Sequence, residues 1–251
     1  MGVAAGDYDG DGRLDLVKTN FSQDYTTIYR SDGDGLFEDV SVRSGMAATL
    51  GASLGWGVGF FDVDNDGWLD LFAANGHIYP DVAKTGTSTY RQKNHLFRNL
   101  GRGLFRQVTD TAGSGMRIEK SSRGAAFGDY DNDGDIDVLV VNMDDRPTLL
   151  RNDSDGGHWI TVRLVGTRSN RDGIGAKVTV ESGGRTRIAE VRSGGSYVSH
   201  NAMRAHFGLG QSRNVDRITI RWPSGRIDSA AGLTADRFYV AREGKGLEPE
   251  R

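Results

Sequence analysis

Three times in this chain an acidic loop sits between two apolar runs at the same spacing, and that repetition limits the fold more than any other feature. In "DYDGDGRLDLV", Asp7, Asp9, Asp11 and Asp15 place four carboxylates within nine residues. "DVDNDGWLDLF" repeats the pattern with Asp62, Asp64, Asp66 and Asp70, and "DYDNDGDIDVL" repeats it with Asp129, Asp131, Asp133 and Asp137. Two like charges about 4 Å apart cost roughly 4 kcal/mol at an effective dielectric of about 20, so a bound cation is the physical reason to collect them.

The spacing defines how such a cation is held. A short loop around a hard ion offers side-chain oxygens from positions 1, 3 and 5, a carbonyl from position 7 and a further carboxylate beyond. Here position 7 is Arg13, Trp68 or Asp135, each contributing its main-chain oxygen, and the last carboxylate is Asp15, Asp70 or Asp137. Gly12, Gly67 and Gly134 at position 6 permit the backbone bend. An all-oxygen set without His or Cys favours calcium over zinc or copper, about three ions in all. An EF-hand is excluded, because it needs Glu at position 12 and flanking helices. Position 12 of the first loop is Lys18, and "LDLVKT" reads as a strand.

The repeat is larger than the loop. Gly2, Gly57 and Gly124 stand five residues before the first aspartate, and Asn20, Asn75 and Asn142 thirteen after it. "YRSDGDGLFEDVS" from Tyr29, "FRNLGRGLFRQVT" from Phe97 and a worn "LRNDSDGG" from Leu150 follow in turn. One unit is thus a small-residue strand, the acidic loop, an apolar strand, a strand ending in Arg30, Arg98 or Arg151, and a glycine turn into a further strand. Four short strands with tight turns make one propeller blade. The first aspartates lie 55 and 67 residues apart, the excess being an insertion, "HIYPDVAKTGTSTYRQK", from His77 to Lys93. Insertions of this kind lie on one face and often bind partners, which makes His77, Tyr79, Asp81 and Tyr90 exposed candidates for partner contact. The alternative, a loop that packs against a neighbouring blade, stays open.

Beyond Gly157 the pattern changes. Ile160, Val162 and Leu164 alternate with Thr161 and Arg163; Ala176, Val178 and Val180 alternate with polar neighbours; so do Ile218, Ile220 and Trp222. Period-two alternation over several short strands predicts a half-exposed antiparallel sandwich. Its arginines alternate as a solvated face does, and no aromatic recognition motif accompanies them, which argues against nucleic-acid binding. Charge divides at the same place. Residues 1–157 carry 15 Lys or Arg against 25 Asp or Glu, and residues 158–251 carry 16 against 9. Twelve of the first segment's acids are the side-chain ligands assigned in the three loops, so its negative charge is mostly ion-site charge.

These motifs carry a resemblance. The three units resemble FG-GAP or VCBS repeats, the calcium-loop blades of the integrin α-subunit propeller. The stretch from "HWITVRLVGTRSNRDGIGAKVTVESGG" at His158 to "RAHFGLGQSRNVDRITIRWPSGR" at Arg226 resembles the ASPIC and UnbV domain that ends the cartilage acidic protein family, and the insertion with "NHLFRNLG" is similar to that family too. The resemblance implies an all-β chain: a partial, about three-blade FG-GAP-type propeller arc over residues 1–157, then a small antiparallel β-sandwich over residues 158–251. It also implies secretion to an extracellular or periplasmic setting, calcium binding and matrix or cell-surface association, and it implies no catalytic activity.

Other features bound the function. There is no Cys, which excludes disulfides and thiolate metal sites. No apolar run approaches the roughly 18 residues of a membrane helix, and no charged-then-apolar leader opens the chain. Met1 falls on a blade strand one residue before Gly2. Rings of this architecture have about four to eight blades, so three units predict an open arc with edges near Val3–Gly6 and Thr148–Asn152, and further blades upstream. "GASLG" at Gly51–Gly55 matches a nucleophile elbow formally, but Ser53 leads into a strand where the elbow needs a helix, and the loop order is not expected to set Ser53 beside a histidine. "KTG" at Lys84 and "DGIGAK" at Asp172 lack their partner motifs, and none of the five histidines shows metal-pair spacing. Trp56 and Trp68 could stack on a sugar or simply pack, and Asn20 and Asn152 stand in glycosylation sequons. The resulting expectation is a non-catalytic calcium-binding extracellular protein whose propeller engages a protein or glycan ligand. The alternative is a carbohydrate-binding or accessory protein of a bacterial biosynthetic or polysaccharide-degrading locus.

Overall fold

A computed structural model describes residues 1–49, 51 and 53–250. The first unit folds as a four-stranded antiparallel sheet of β1 (Val3–Gly6), β2 (Asp15–Lys18), β3 (Thr27–Gly33) and β4 (Leu36–Asp39), in that spatial order. The second repeats it with β5 (Gly55–Phe61) and β6 (Asp70–Asn75), then β8 (His95–Asn99) and β9 (Phe105–Gln107). Within the insertion, β7 (Gln92–Lys93) pairs with β10 (Glu119–Lys120) and so ties the second unit to the start of the third. The third sheet has three strands, β11 (Ser122–Gly128), β12 (Asp137–Asn142) and β13 (Thr148–Leu150). The worn "LRNDSDGG" builds no fourth strand: Gly157 and His158 stand where the other units have an apolar Leu-Phe pair, so the residues that carry the fourth strand there are missing.

The sheets stack face to face like blades. In β6 the side chains alternate between two cores. Leu71 and Ala73 join Tyr8, Val17, Ile28 and Phe97 on the side of the first blade. Phe72 and Ala74 join Phe61, Phe127, Val138 and Val140 on the side of the third. A strand covered on both faces reads as a continuous apolar run, which is why "LFAA" shows no alternation. β12 is covered on one face only: Val138 and Val140 are buried, whereas Leu139 and Val141 are 44% and 51% exposed. Among the described residues no strand pairing closes the third blade onto the first, so the blades form an open arc.

The remaining strands form two packed sheets. β14 (His158–Val165) lies between β17 (Ala205–Gly210) and β20 (Arg237–Arg242), with β21 (Gly246–Pro249) at the edge; β15 (Lys177–Ser182) lies between β16 (Arg185–Glu190) and β18 (Asn214–Arg221), with β19 (Ile227–Thr234) outermost. Ile160, Val162, Leu164, Val178, Val180, Ile218, Ile220 and Trp222 meet in one core, as their alternation predicts. The sandwich is not wholly antiparallel, because β14 and β20 run parallel from Ile160↔Arg237 to Val165↔Arg242. A parallel pair needs a long crossover, and the intervening strands of both sheets supply one that no local pattern announces.

This C-terminal domain sits along the inside of the arc. β1, β5 and β11 are the edge strands of their blades. The segment between β16 and β17 satisfies part of that edge. Ser196 N donates to Val3 O at 3.2 Å and Ala202 N to Phe127 O at 2.9 Å. Ser196 Oγ accepts from Val58 N, Ser199 Oγ from Ala125 N and Asn201 Oδ1 from Phe127 N. Unpaired strand edges invite association, and here the chain's own later residues cover them.

Candidate metal centres

Each acidic loop joins the first two strands of its blade, and the ladder closes on it. Gly6 pairs with Asp15, Phe61 with Asp70 and Gly128 with Asp137. Position 6 is left-handed in all three loops, with φ of 84° at Gly12, 84° at Gly67 and 97° at Gly134. Position 4 is left-handed as well, which explains Gly10, Asn65 and Asn132 there, since Gly and Asn tolerate that region best.

Two successive left-handed turns point backbone N–H groups at the first aspartate. Asp7 accepts from Gly10 N, Asp11 N and Gly12 N at 2.9–3.0 Å. Asp62 accepts from Asp66 N and Gly67 N, and Asp129 from Gly134 N. Three of the four carboxylates that the spacing assigns come together in each loop: ligand oxygens of Asp7, Asp9 and Asp15 lie within 4.8 Å of one another, as do those of Asp62, Asp64 and Asp66, and of Asp129, Asp131 and Asp137, while Asp11, Asp70 and Asp133 stand outside these groups. Asp11 accepts from Arg13 N, Asp66 from Trp68 N and Asp133 from Asp135 N, so each position-5 aspartate also fixes the residue whose carbonyl the spacing assigns to the ion.

Burial first, and the neighbouring carboxylates after it, raise these acids. Asp7 is pushed up to about 6, Asp15 to about 7, Asp70 to about 8 and Asp135 to about 6, while Asp62 lies well above the usual carboxylate range. Asp64 Oδ1 and Asp129 Oδ1 are buried with no hydrogen-bond partner. A buried carboxylate oxygen without a donor is costly, and a hard cation among oxygen ligands removes that cost. The donor set therefore fits calcium.

The last aspartate of each loop does more than the spacing suggests. Asp15 accepts from Tyr8 N and Ser31 N, Asp70 from Val63 N and Asn99 N, and Asp137 from Tyr130 N and Asn152 N. It therefore pins the start of the loop to the end of the blade's third strand. Sequence reasoning also left the arginines of that strand out of the site. Arg98 pairs with Asp64 and lies 3.7 Å from Asp66, and Arg151 lies 3.8 Å from Asp131. Their recurrence with Arg30 one strand after each loop was the available signal. Arg30 itself pairs with Asp32 and Glu38.

The insertion divides its candidates. His77 is 2% exposed, contrary to the expectation of an exposed contact residue; Nδ1 accepts from Tyr79 N, and its carbonyl accepts from Ser121 Oγ and Arg123. Gly76, pressed against the Ser121 and Ser122 backbone, draws this stretch onto the third blade and so buries the ring. Tyr79 is 61% exposed, Asp81 is exposed and pairs with Lys84, and Tyr90 is half-buried with its carbonyl taken by His77 N.

Ser53 does come beside a histidine, which the loop order was not expected to allow. Its Oγ lies 3.4 Å from His95 Nε2 at a cavity of about 230 Å³, because β8 starts next to the approach to β5. No helix follows Ser53, and Ala52 of the same stretch lies outside the described residues. Burial lowers His95 to about 4, and among the described residues no carboxylate bonds its ring. The two tryptophans pack. Arg185 covers Trp68 at 3.8 Å, while Arg123 and Tyr197 flank Trp56. The side-chain amides of Asn20 and Asn152 are both engaged in hydrogen bonds within the fold.

The sequence profile of the FG-GAP-like repeat matches residues 7–73 and 75–140, more than half of the chain and all three loops. The chain belongs to the FG-GAP-like repeat family. In this FG-GAP-like protein the C-terminal domain matches the ASPIC and UnbV profile over residues 166–248. The chain is 26% identical to "Cartilage acidic protein 1" of Mus musculus and of Homo sapiens, and 27% identical to that of Xenopus tropicalis, over 242 residues each. Those alignments take in 90–91% of this FG-GAP-like chain and 33–34% of the relatives, so the chain spans about a third of the length of the curated relatives it matches.

Proposed function

We propose that this chain is a non-catalytic, calcium-binding scaffold that works outside the cell and presents loops of its blades to an extracellular protein or matrix partner. The observation that carries the reading is the threefold convergence of carboxylates, at least one buried in each loop and two with partnerless buried oxygens, on loops of one geometry. Calcium in the millimolar range, as found outside cells, loads such loops without high affinity. The name of the cartilage acidic relatives agrees with that setting. No helix among the described residues is long and apolar enough to cross a membrane.

The non-catalytic reading draws on the surroundings of Ser53. The next backbone donor along the chain, Leu54 N, is already taken by Gln92 Oε1 at 2.9 Å, so it is not free to stabilise an oxyanion. Contact with the partner belongs to the insertion. β5 runs toward the acidic loop and β6 runs back, which puts His77 onward at the end of the blade opposite the ions. There Phe21 and Tyr79 flank the His77 ring and expose apolar surface beside Asp81. The two tryptophans give the carbohydrate reading no support, since Arg123 lies over Trp56 and Arg185 over Trp68. The test is binding of the calcium-loaded chain to immobilised collagen, fibronectin and laminin, run beside a glycan array. Binding to a matrix protein that Tyr79→Ala weakens at least tenfold is expected; signal on the glycan array alone would move the function to the carbohydrate class.

We also propose that further blades of the same repeat complete the arc. Leu139, Val141 and Leu149 form an apolar face on the third blade where the middle blade has a neighbour, and Val3, Leu36 and Phe37 are exposed on the first. Sedimentation of the isolated chain should show self-association that Leu139→Glu suppresses. A strict monomer at high concentration would remove this argument.

A further inference from the structure

The three loops are alike in their carboxylates and unlike in what surrounds them. In the second loop Asn65 is 1% exposed and joins three parts of the molecule. Its Nδ2 donates to Asp135 Oδ1 at 2.8 Å and to Gly134 O at 3.2 Å, both in the third loop. Its Oδ1 lies 2.7 Å from His206 Nε2, on β17 of the C-terminal domain. Because the amide nitrogen is the donor toward the third loop, Oδ1 accepts, and His206 carries its proton on Nε2. Nδ1 then accepts from Thr161 Oγ1 at 2.8 Å.

The main chain of the same loop is held from the same side. Asp64 O accepts from Gly157 N and Asn65 O from Gly210 N, both at 2.8 Å. Arg185 donates to Asp66 O at 3.3 Å and to Gly67 O at 3.2 Å. The fit leaves no room for side chains: a Cβ at Gly208 would overlap the Asp62 carboxylate, and one at Gly157 would press on Asn65 O. The first loop has Gly10 at the position of Asn65, and no hydrogen bond from the C-terminal domain reaches it among the described residues. Four consecutive carbonyls of the second loop thus face the C-terminal domain, while Asp62, Asp64 and Asp66 of the same turns converge on one point.

We propose that the second loop is a metal-dependent joint: a divalent cation held by Asp62, Asp64 and Asp66 sets the loop shape on which the C-terminal domain docks. The inference rests on the calcium reading above. Without the ion the three carboxylates repel, the turns spread, and acceptors positioned to a few tenths of an ångström move away from Gly157, Gly210, Arg185 and His206. Coupling of this kind is reciprocal, so residues of the C-terminal domain that touch no ligand contribute to the affinity of this one site.

The experiment uses the full chain. Calcium binding is measured by titration calorimetry, and docking by hydrogen exchange of the peptides around Gly157 and Gly210, with calcium and with chelator. Calcium is expected to slow exchange in both peptides at least tenfold. Asp64→Asn should abolish that protection, and Asp9→Asn should leave it. His206→Ala should weaken one of three sites by about tenfold, within the usual span of such couplings, and His206→Gln, whose amide can still donate to Asn65, should restore it. Ions that bind with full stoichiometry while the two peptides exchange equally fast with and without calcium would overturn the joint and leave the calcium reading standing. A chain that binds no ion would overturn both.

Discussion

Removal of calcium is expected to lower the melting temperature of the blades by about 15–30 °C. A site held at a hundred times its dissociation constant contributes about 2.7 kcal/mol, three sites therefore about 8 kcal/mol, and a domain of this size shifts by about 2–4 °C per kcal/mol. Asp64→Ala and Asp131→Ala should each remove a part of that difference, since they delete a ligand whose loss the blade otherwise tolerates. Asp70→Asn acts differently. Both Asp70 oxygens accept backbone N–H groups, from Val63 and Asn99, and an amide nitrogen in place of one oxygen would set two donors against each other. It should lower the melting temperature of the metal-free protein too, although removing one of several repelling charges would by itself raise it. Scanning calorimetry with calcium and with chelator checks all of these, and equal transitions in the two conditions would dismiss the ions as structural.

The second large effect is on pH. Asp15 and Asp70, raised to about 7 and about 8 by burial, bind a proton more tightly in the folded metal-free chain than in the unfolded one. Their protonation stabilises the metal-free fold fully below the unfolded carboxylate value of about 4, and that contribution is lost as pH rises through 7 and 8. Between pH 6.5 and 8.5 the metal-free melting temperature should therefore fall. The calcium-loaded protein, whose ligands are held ionised, should change little, so the calcium-induced shift grows with pH. His95 and His206, lowered to about 4 by burial, work the other way: they favour the fold above about 6.5 and withdraw that support as pH falls toward 4. The cleanest window thus lies above pH 6.5. A metal-free transition that rises across it would show that these carboxylates are already ionised.

The loops, the strands around them and the sandwich core were legible because each is written in local periodicity: aspartates two apart, a glycine at the sixth position, Ile218-Ile220-Trp222 on one face. What stayed hidden depends on distant residues. Asn65 and Asn132 occupy the same position of like turns and both meet the C-terminal domain, yet Asn65 is buried against His206 and the third loop, while Asn132 only accepts from Arg204 at the surface. The difference is made 141 residues away, at His206. The meeting of Ser53 with His95, the burial of His77 and the parallel pairing of β14 with β20 were hidden for the same reason. Each is settled by which strand lies alongside, and no spacing within a single segment encodes that.

The segment that lines the inner edge of the arc sets an order of events during synthesis. Val3 waits for Ser196, and Ala5 for Arg192, 187 residues later. At about 5–20 residues per second, the first blade exists for roughly 8–30 s before the chain that caps its inner strand has been made. Through that interval the nascent protein carries open strand edges, and a cation is a partner its acidic loops would not have to wait for the rest of the sequence to meet.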